Sequence, residues 1–370
     1  GASWGISRWW EQTWNAWPMR RAPRVMRLES PNLSPTRPCG VDDPVPPGME
    51  QLERAVRLLR SGELVTFPTE TVYGVGADAA NPDGLAKIFA AKGRPADHPL
   101  IVHLPDAGHL DRWARDVPEA ARALAAAFWP GPLTLVLRKA PGVPDLVTGG
   151  QDTVGVRIPG HPLALELLRV FGGGIAAPSA NRFGRISPTT AEHVRGELGE
   201  RIALVLDGGP CQVGIESTIL DLSSAAPRIL RPGRVSPAAL AGILGVWPTT
   251  GVAPGAPRVA GSLEAHYAPA TPLELVTADG LIFAAREALA RDERLGVLSC
   301  LVRPLSDERL SWCQVPTDPE GFARALYAAL RELDAAGCAR IVVQAPPATE
   351  AWAAVNDRLR RSAAGSGMKR

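Results

Sequence analysis

The sequence predicts an α/β protein in two parts: a domain built on a mixed twisted sheet, then a smaller Rossmann-like parallel α/β domain. Three observations predict it. In the first part strand-like and helix-like segments interleave, but several strands follow one another directly, which a purely parallel sheet does not permit. The last part alternates strand and helix cleanly. Between them, residues 232–269 shift to Pro, Gly and small side chains, which is linker chemistry.

Each element has its own signal. "MEQLERAVRLLRSG", from Met49, carries apolar residues at helical spacing and ends in Gly. "ELVTFPT" is a strand. The next stretch, "TETVYGVG", reads as a polar strand-end turn in which Gly74 and Gly76 permit close approach or positive φ, with Tyr73 shaping a floor. "NPDGLAKIFAAKGRP" opens on an Asn-Pro turn, runs as a short helix and breaks at Gly93 and Pro95. The strands "PLIVHL", "LTLVLRK" and "TVGVRIPG" are interrupted by the helix "VPEAARALAAAFWPGP". The helix "HPLALELLRVFGG", the strand "GIAAPSAN", the helix "TAEHVRGELGERI" and the strands "ALVLDGG", "ESTILDL" and "RILRPG" complete the first domain. After the short helix "SPAALAGILG" and the linker come strand "TPLELV", helix "GLIFAAREALARD", strand "RLGVLSC", helix "DPEGFARALYAALRELDAAG", strand "ARIVVQAP" and helix "EAWAAVNDRLRRSAA". This second unit has no Gly-x-Gly-x-x-Gly and no phosphate loop, and reads as a scaffold or lid. Residues 1–48, Trp-rich and then rich in Pro, Ser and Arg, read as poorly ordered and outside the chemistry. They contain no apolar core of a secretory signal.

Composition narrows the class. A chain of 370 residues leads to an expectation of two domains. With 40 Lys+Arg against 38 Asp+Glu, the net charge of +2 does not mark a nucleic-acid binder, although a local basic groove is compatible with it. No apolar run is long enough to span a bilayer, so no membrane is expected. The five cysteines are odd in number and contain no Cys-x-x-Cys pair, which points away from a zinc ribbon or disulfide framework and towards a reducing cytoplasm. Arg greatly outnumbers Lys. Only Lys87, Lys92, Lys139 and Lys369 escape that bias, and two of them share one short segment, a hint that a compact ammonium is wanted there.

Polar segments fall at the strand ends of the first domain: "PTET", "KGRPADHPLIVH", "TVGVRIPGH", "APSANRFGRISPTT", "GIESTI" and "LRPGR". Singly, each has a bland explanation: a solvated loop for Lys92 and Arg94, a satisfied core histidine for His103, a helix cap for "SAN". Together they outline one small-molecule site. With "PGPLTLVL", "ILRPG" and "HYAP", and in this order, they closely resemble the threonylcarbamoyl-AMP synthases with the YrdC-type fold, in the long form that adds a second α/β domain after a linker. The resemblance runs from about Met49 almost to the C-terminus. It implies a YrdC-like catalytic domain over residues 49–233, a linker or lid over 234–270 and a C-terminal α/β domain over 271–362.

The family makes L-threonylcarbamoyl-AMP from L-threonine, bicarbonate or CO₂, and ATP, and releases pyrophosphate. The product serves N6-threonylcarbamoyladenosine formation in tRNA, so the partners implied are the downstream threonylcarbamoyl-transfer machinery and tRNA itself. By this resemblance Arg157 pairs the threonine carboxylate, as a bidentate guanidinium suits. Thr71, Ala177 and Ser217 complete the threonine pocket, and His103 binds threonine or takes a proton from its amine. Lys92, Arg94 and Arg231 supply charge to the phosphates, with Lys92, Arg94 and His103 the catalytic candidates. His98, Thr153, Ser179, Asn181 and Ser187 are the further ATP-binding candidates. Mg²⁺ accompanies ATP. Glu70 has two readings, organiser of the basic residues or metal ligand. His266 and Tyr267 also have two, contact with nucleotide or anchoring of the linker. Two rival functions remain in view. A carbamoyl-adenylate enzyme of hydrogenase maturation would add an acylphosphatase-like part and Cys-rich zinc modules, which are not seen here. A non-catalytic RNA-binding protein would not need threonine-binding residue types.

Overall fold

The computed structural model describes residues 48–251, 254–302 and 306–367; the expectation of disorder over the first segment falls on residues that, up to 47, lie outside the described ones. The first sheet is assembled from β1 (Val65–Phe67), β2 (Gly74–Asp78), β3 (Ile101–His103), β4 (Leu133–Arg138), β5 (Thr153–Arg157), β6 (Ile175–Ala176), β7 (Leu204–Val205), β8 (Thr218–Asp221), β9 (Arg228–Arg231) and β10 (Thr249–Thr250). Its order is β10-β9-β8-β4-β5-β3-β6-β2-β1-β7. Antiparallel pairs (β1 with β2, β4 with β5) alternate with parallel ones (β3 with β5, β4 with β8), so the sheet is mixed as the directly successive strands predict. The second sheet, β11 (Leu273–Val276), β12 (Leu295–Ser299), β13 (Leu310–Gln314) and β14 (Arg340–Gln344), is parallel throughout in the order β11-β14-β12-β13.

Local chemistry sets the helices that matter to function. Helix Met49–Arg60 buries Leu52, Ala55, Val56 and Leu59 against helix Pro162–Phe171 and the outer strands. Helix Pro82–Lys92 starts where the Asn81 side chain accepts from the backbone N–H groups of Asp83 and Gly84, with Pro82 in the first turn. It stops at Gly93, whose φ of 61° lies in the left-handed region that favours glycine. That stop places Lys92 in the last turn and throws Arg94 off the helix end towards β3.

Two strands differ from the sequence reading. Residues 74–78 form β2, not a turn. A Cβ on Gly76 would lie 2.7 Å from the Phe67 ring and 2.8 Å from an Ile175 methyl, so these glycines serve close approach inside a strand, and neither has positive φ. Residues 310–314, between the strand "RLGVLSC" and the helix "DPEGFARALYAALRELDAAG", form β13. Only Leu310 is fully buried there, which leaves little apolar alternation to read.

The second domain is more than an appendage. Val72, Ile186, Ile215 and Tyr267 share one apolar cluster with Phe322, Leu326, Tyr327 and Leu330 of helix Pro319–Ala335 and Leu359 of helix Ala353–Gly365. Asp334 accepts from Arg185 and from the backbone N–H groups of Ala270 and Thr271, pinning the end of the linker. Among the described residues no helix is long and apolar enough to cross a membrane.

Candidate active site

The sheet brings the polar strand ends to one cleft. Its lining includes Thr71, Arg94, His103, Arg157, Ala177, Ser179, Glu216, Ser217 and Arg231 from the first domain and Ala260, Gly261, His266 and Tyr267 from the linker. β3 and β5 run parallel with His103 in register with Arg157, so the imidazole and the guanidinium emerge side by side. Gly74 and Val72 line the cleft while Tyr73 between them turns into the core, where its hydroxyl donates to Gly209 O at 2.8 Å. Tyr73 is fully buried just ahead of β2 and does not line the cleft, which corrects its reading as part of the floor.

Arg157 is held from several sides. Its Nε donates to Gly131 O (3.0 Å), Nη1 to Thr71 Oγ1 (3.0 Å) and Nη2 to Glu70 Oε1 (2.5 Å). The other Glu70 oxygen accepts from Gly160 N at 2.8 Å. Glu70 therefore positions Arg157, each of its oxygens accepting one hydrogen bond. Of the guanidinium's five N–H groups, the two not used in these contacts remain for a ligand carboxylate. Thr69 shapes the turn beneath: its hydroxyl donates to Val72 O (2.6 Å) and accepts from the N–H groups of Thr71 and Val72. Ser217 shares a hydrogen bond with Thr134 (2.8 Å) and accepts from Arg231 Nη2 (3.1 Å).

The second group of side chains is cationic. Arg94 donates to Pro99 O (2.8 Å) and lies over the Phe183 ring. Arg231 donates twice to Ser217 O and once to Ala260 O, which ties β9 to the linker. Lys92 lies behind the wall, its ammonium donating to the carbonyls of Ser179 and Asn181. These three groups are buried, and none has an ion-pair partner among the described residues. Burial, then Arg94, drives the Lys92 pKa well below its ordinary value; burial brings Arg94 down to about 10 and lowers Arg231. Buried cations without counter-charge are expensive, and an incoming polyanion relieves that cost.

Other candidates lie around this cleft. Asn181 Nδ2 donates to the carbonyls of Arg182 and Arg185. Ser187 donates to Glu216 Oε1 (2.6 Å). Thr153 lines a smaller adjoining cavity that shares Ile101 and Ala260 with the main cleft. His98 packs edge-on against Phe183 and is not among the residues that line the cleft. Buried polar atoms without a partner gather here: Arg94 Nε, His103 Nδ1, Asn181 Oδ1, His266 Nδ1 and Tyr267 Oη. The linker residues face the cleft and are also tied to the second domain. His266 and Tyr267 line the cleft, and they are anchored by His266 N donating to Arg361 O (3.2 Å) and Ser362 Oγ donating to Tyr267 O (2.8 Å).

Burial, then Arg157, pulls the His103 pKa from 6.5 to about 3, and burial pulls that of His266 to about 3. Both rings are neutral at pH 7. A base this weak is a poor proton acceptor, which favours His103 as a hydrogen-bonding partner. A stability prediction follows. Their folded pKa lies below the unfolded one, so the unfolded chain binds more protons between about pH 6.5 and 3. Their contribution is complete above pH 6.5 and is lost as pH falls towards 3. The thermal midpoint is expected to drop from pH 7 to pH 5, and His103→Gln to flatten that dependence; an unchanged slope would reject the assignment.

Sequence reading missed Glu216 and Thr69, although both stand inside quoted motifs, and it missed Tyr327 and Arg358, which meet Glu216 from the second domain.

A buried cationic cleft on a mixed sheet, roofed by a linker and edged by an arginine held ready for a carboxylate, defines a site for small anionic ligands. Residues 57–233 match the family model described as "Telomere recombination", and residues 235–364 match "Threonylcarbamoyl-AMP synthase, C-terminal domain". The threonylcarbamoyl-AMP synthase of Bacillus subtilis is 40% identical over 323 residues, covering 85% of this chain and 93% of the relative. That of Schizosaccharomyces pombe is 33% identical over 390 residues, covering 92% and 95%. The crystal structure of Pyrococcus abyssi Sua5 complexed with L-threonine superposes with a TM-score of 0.78 at 37% identity, covering 85% of this chain and 94% of that one. The chain belongs to the threonylcarbamoyl-AMP synthase family.

Proposed function

We propose that this cleft condenses L-threonine, bicarbonate or CO₂, and ATP into L-threonylcarbamoyl-AMP and pyrophosphate, for N6-threonylcarbamoyladenosine formation in tRNA. The observation that carries the reading is the set of buried cations, Lys92, Arg94 and Arg231, without a carboxylate partner among the described residues, next to the pre-positioned Arg157. Threonine docks its carboxylate on Arg157, with Thr71, His103 and Ser217 around it. Its amine attacks CO₂ and loses a proton, giving a carbamate. A carbamate oxygen then attacks the α-phosphorus, the bond to the bridging oxygen breaks, and pyrophosphate leaves with the electron pair. Arg94 and Arg231 stabilise charge on the phosphates, and Lys92 holds the Ser179–Asn181 loop against them. Glu70 and Glu216 are both bound by arginines, and Mg²⁺ enters this reading as part of the substrate MgATP. On this reading the chain works in the cytoplasm, with the enzymes that modify tRNA.

The experiment is pyrophosphate release measured with threonine or bicarbonate omitted in turn. Dependence on both is expected; release without threonine would reject the reading.

The cleft encloses about 50 Å³ in this conformation, against the ~300 Å³ or more of a pocket that holds a nucleotide-sized ligand. On this reading the linker lifts to admit ATP. Tyr267 is the main weight on that lid: it is buried, stacked on Tyr327 and in the left-handed region at φ 59°. Tyr267→Ala is expected to leave threonine binding intact while lowering adenylate recovered per pyrophosphate released, because the mixed anhydride is less shielded from water. Chromatography of the product beside the pyrophosphate assay checks this, and an unchanged ratio counts against the lid.

A further inference from the structure

Glu216 is a buried carboxylate in the wall of the proposed nucleotide cleft, one residue before Ser217. Its Oε2 accepts from Arg358 Nε at 2.8 Å and from Tyr327 Oη at 2.9 Å, and its backbone carbonyl accepts from Arg358 Nη2 at 3.3 Å. Both partners belong to the C-terminal domain, on different helices, Pro319–Ala335 and Ala353–Gly365. Arg358 is fully buried, lies over the Tyr267 ring and is braced by Asp357 (2.7 Å). Burial alone would raise the Glu216 pKa; Arg358 first, and then Arg231, outweigh it and hold the group ionised at about 2.

This carboxylate sits within the field of Lys92 and Arg231. Left unpaired, a buried carboxylate is strongly destabilising, and the cations whose charge already bears on it, Arg231 and Lys92, are among the groups read above as the phosphate site. We propose that the C-terminal domain keeps the nucleotide cleft cationic by sequestering Glu216, with Arg358 and Tyr327 as positioning residues that hold its charge off Arg231 and Lys92. The second domain is thereby a working wall of the site, even though neither residue touches substrate. The inference rests on the reading of the cleft as an ATP site.

The test uses the full chain and MgATP. Arg358→Met is expected to raise the KM for MgATP at least tenfold, with the threonine affinity within a factor of about three. Tyr327→Phe, which removes one donor, is expected to raise it about threefold. Glu216→Gln alone is expected to lower it, because the competing charge is gone, and the double variant Arg358→Met with Glu216→Gln to recover most of the loss. A purely structural role predicts the opposite: a double variant no better than Arg358→Met. If Arg358→Met does not fold, Glu216→Gln decides, and a tenfold rise in its KM for MgATP would overturn the proposal. Wild-type chain that releases no pyrophosphate with threonine and bicarbonate present overturns instead the reading of the cleft, and the two failures are therefore distinguishable.

Discussion

Arg157→Ala is expected to abolish useful affinity for L-threonine. A truncated partner of a desolvated charge pair costs about 2–5 kcal/mol, which is on the order of thirtyfold to several thousandfold in Kd. The upper part of that range applies here because the group is already positioned. Gly131, Thr71 and Glu70 fix the guanidinium before ligand arrives, so little ordering is left to be done on binding. Truncation also strips Glu70 of its counter-charge and leaves a buried anion facing the incoming carboxylate. Glu70→Gln in the Arg157→Ala background should therefore recover part of the loss. Arg157→Lys should recover little, since an ammonium cannot satisfy Gly131, Thr71, Glu70 and a ligand with one planar fork. Calorimetric titration with L-threonine reads all of these, with thermal melting to establish that each variant is folded. Unchanged affinity in folded Arg157→Ala would remove the residue from the threonine pocket.

What was legible in the sequence is what is encoded locally. Arg157, His103, Ser217 and Arg231 stand at strand ends in short polar motifs, and a strand end in a twisted sheet projects its side chains to a common edge. The capped helix ending in Lys92 was legible too, down to the scarcity of lysine: its compact ammonium donates to two convergent carbonyls. What was not legible depends on partners far along the chain. Arg358 reads as one more charged residue of "NDRLRRSAA", yet it is fully buried on a carboxylate 142 positions away. Glu70 reads as an organiser or a metal ligand in the sequence, and only the fold sets it on Arg157 and Gly160. The β2 strand hid behind glycines whose purpose, close packing on Phe67 and Ile175, exists only once the sheet is formed. Lys92 shows the limit from the other side. The motif brings it to the site, but only the fold shows it behind the wall, holding a loop.

Arg94→Ala and Arg231→Ala are each expected to lower kcat about a hundredfold or more and to raise the KM for MgATP, while threonine affinity stays within a few-fold. Removing one positioned donor from a site of developing charge costs roughly 10²–10³ in rate, and these donors act where water is excluded and charge is weakly screened. Neither is neutralised by an ion pair among the described residues, so the charge of each is free to act on phosphate oxygens. Their settings differ, and so should the variants. Arg94 reaches the cleft from the end of a helix and is braced only by Pro99 O and the Phe183 ring, so its loss should act mainly on the phosphates. Arg231 also binds Ser217 O, Ser217 Oγ and Ala260 O, so its loss should loosen the linker as well and lower adenylate recovered per pyrophosphate. Arg231→Lys restores the charge without the fork that spans Ser217 and Ala260; it should regain part of the MgATP affinity and none of the recovery ratio. Steady-state pyrophosphate release with MgATP varied, beside chromatography of the adenylate, separates the two effects. Normal MgATP dependence in both alanine variants would mean that these buried cations serve the fold alone, and the assignment of the phosphate site would fall with them.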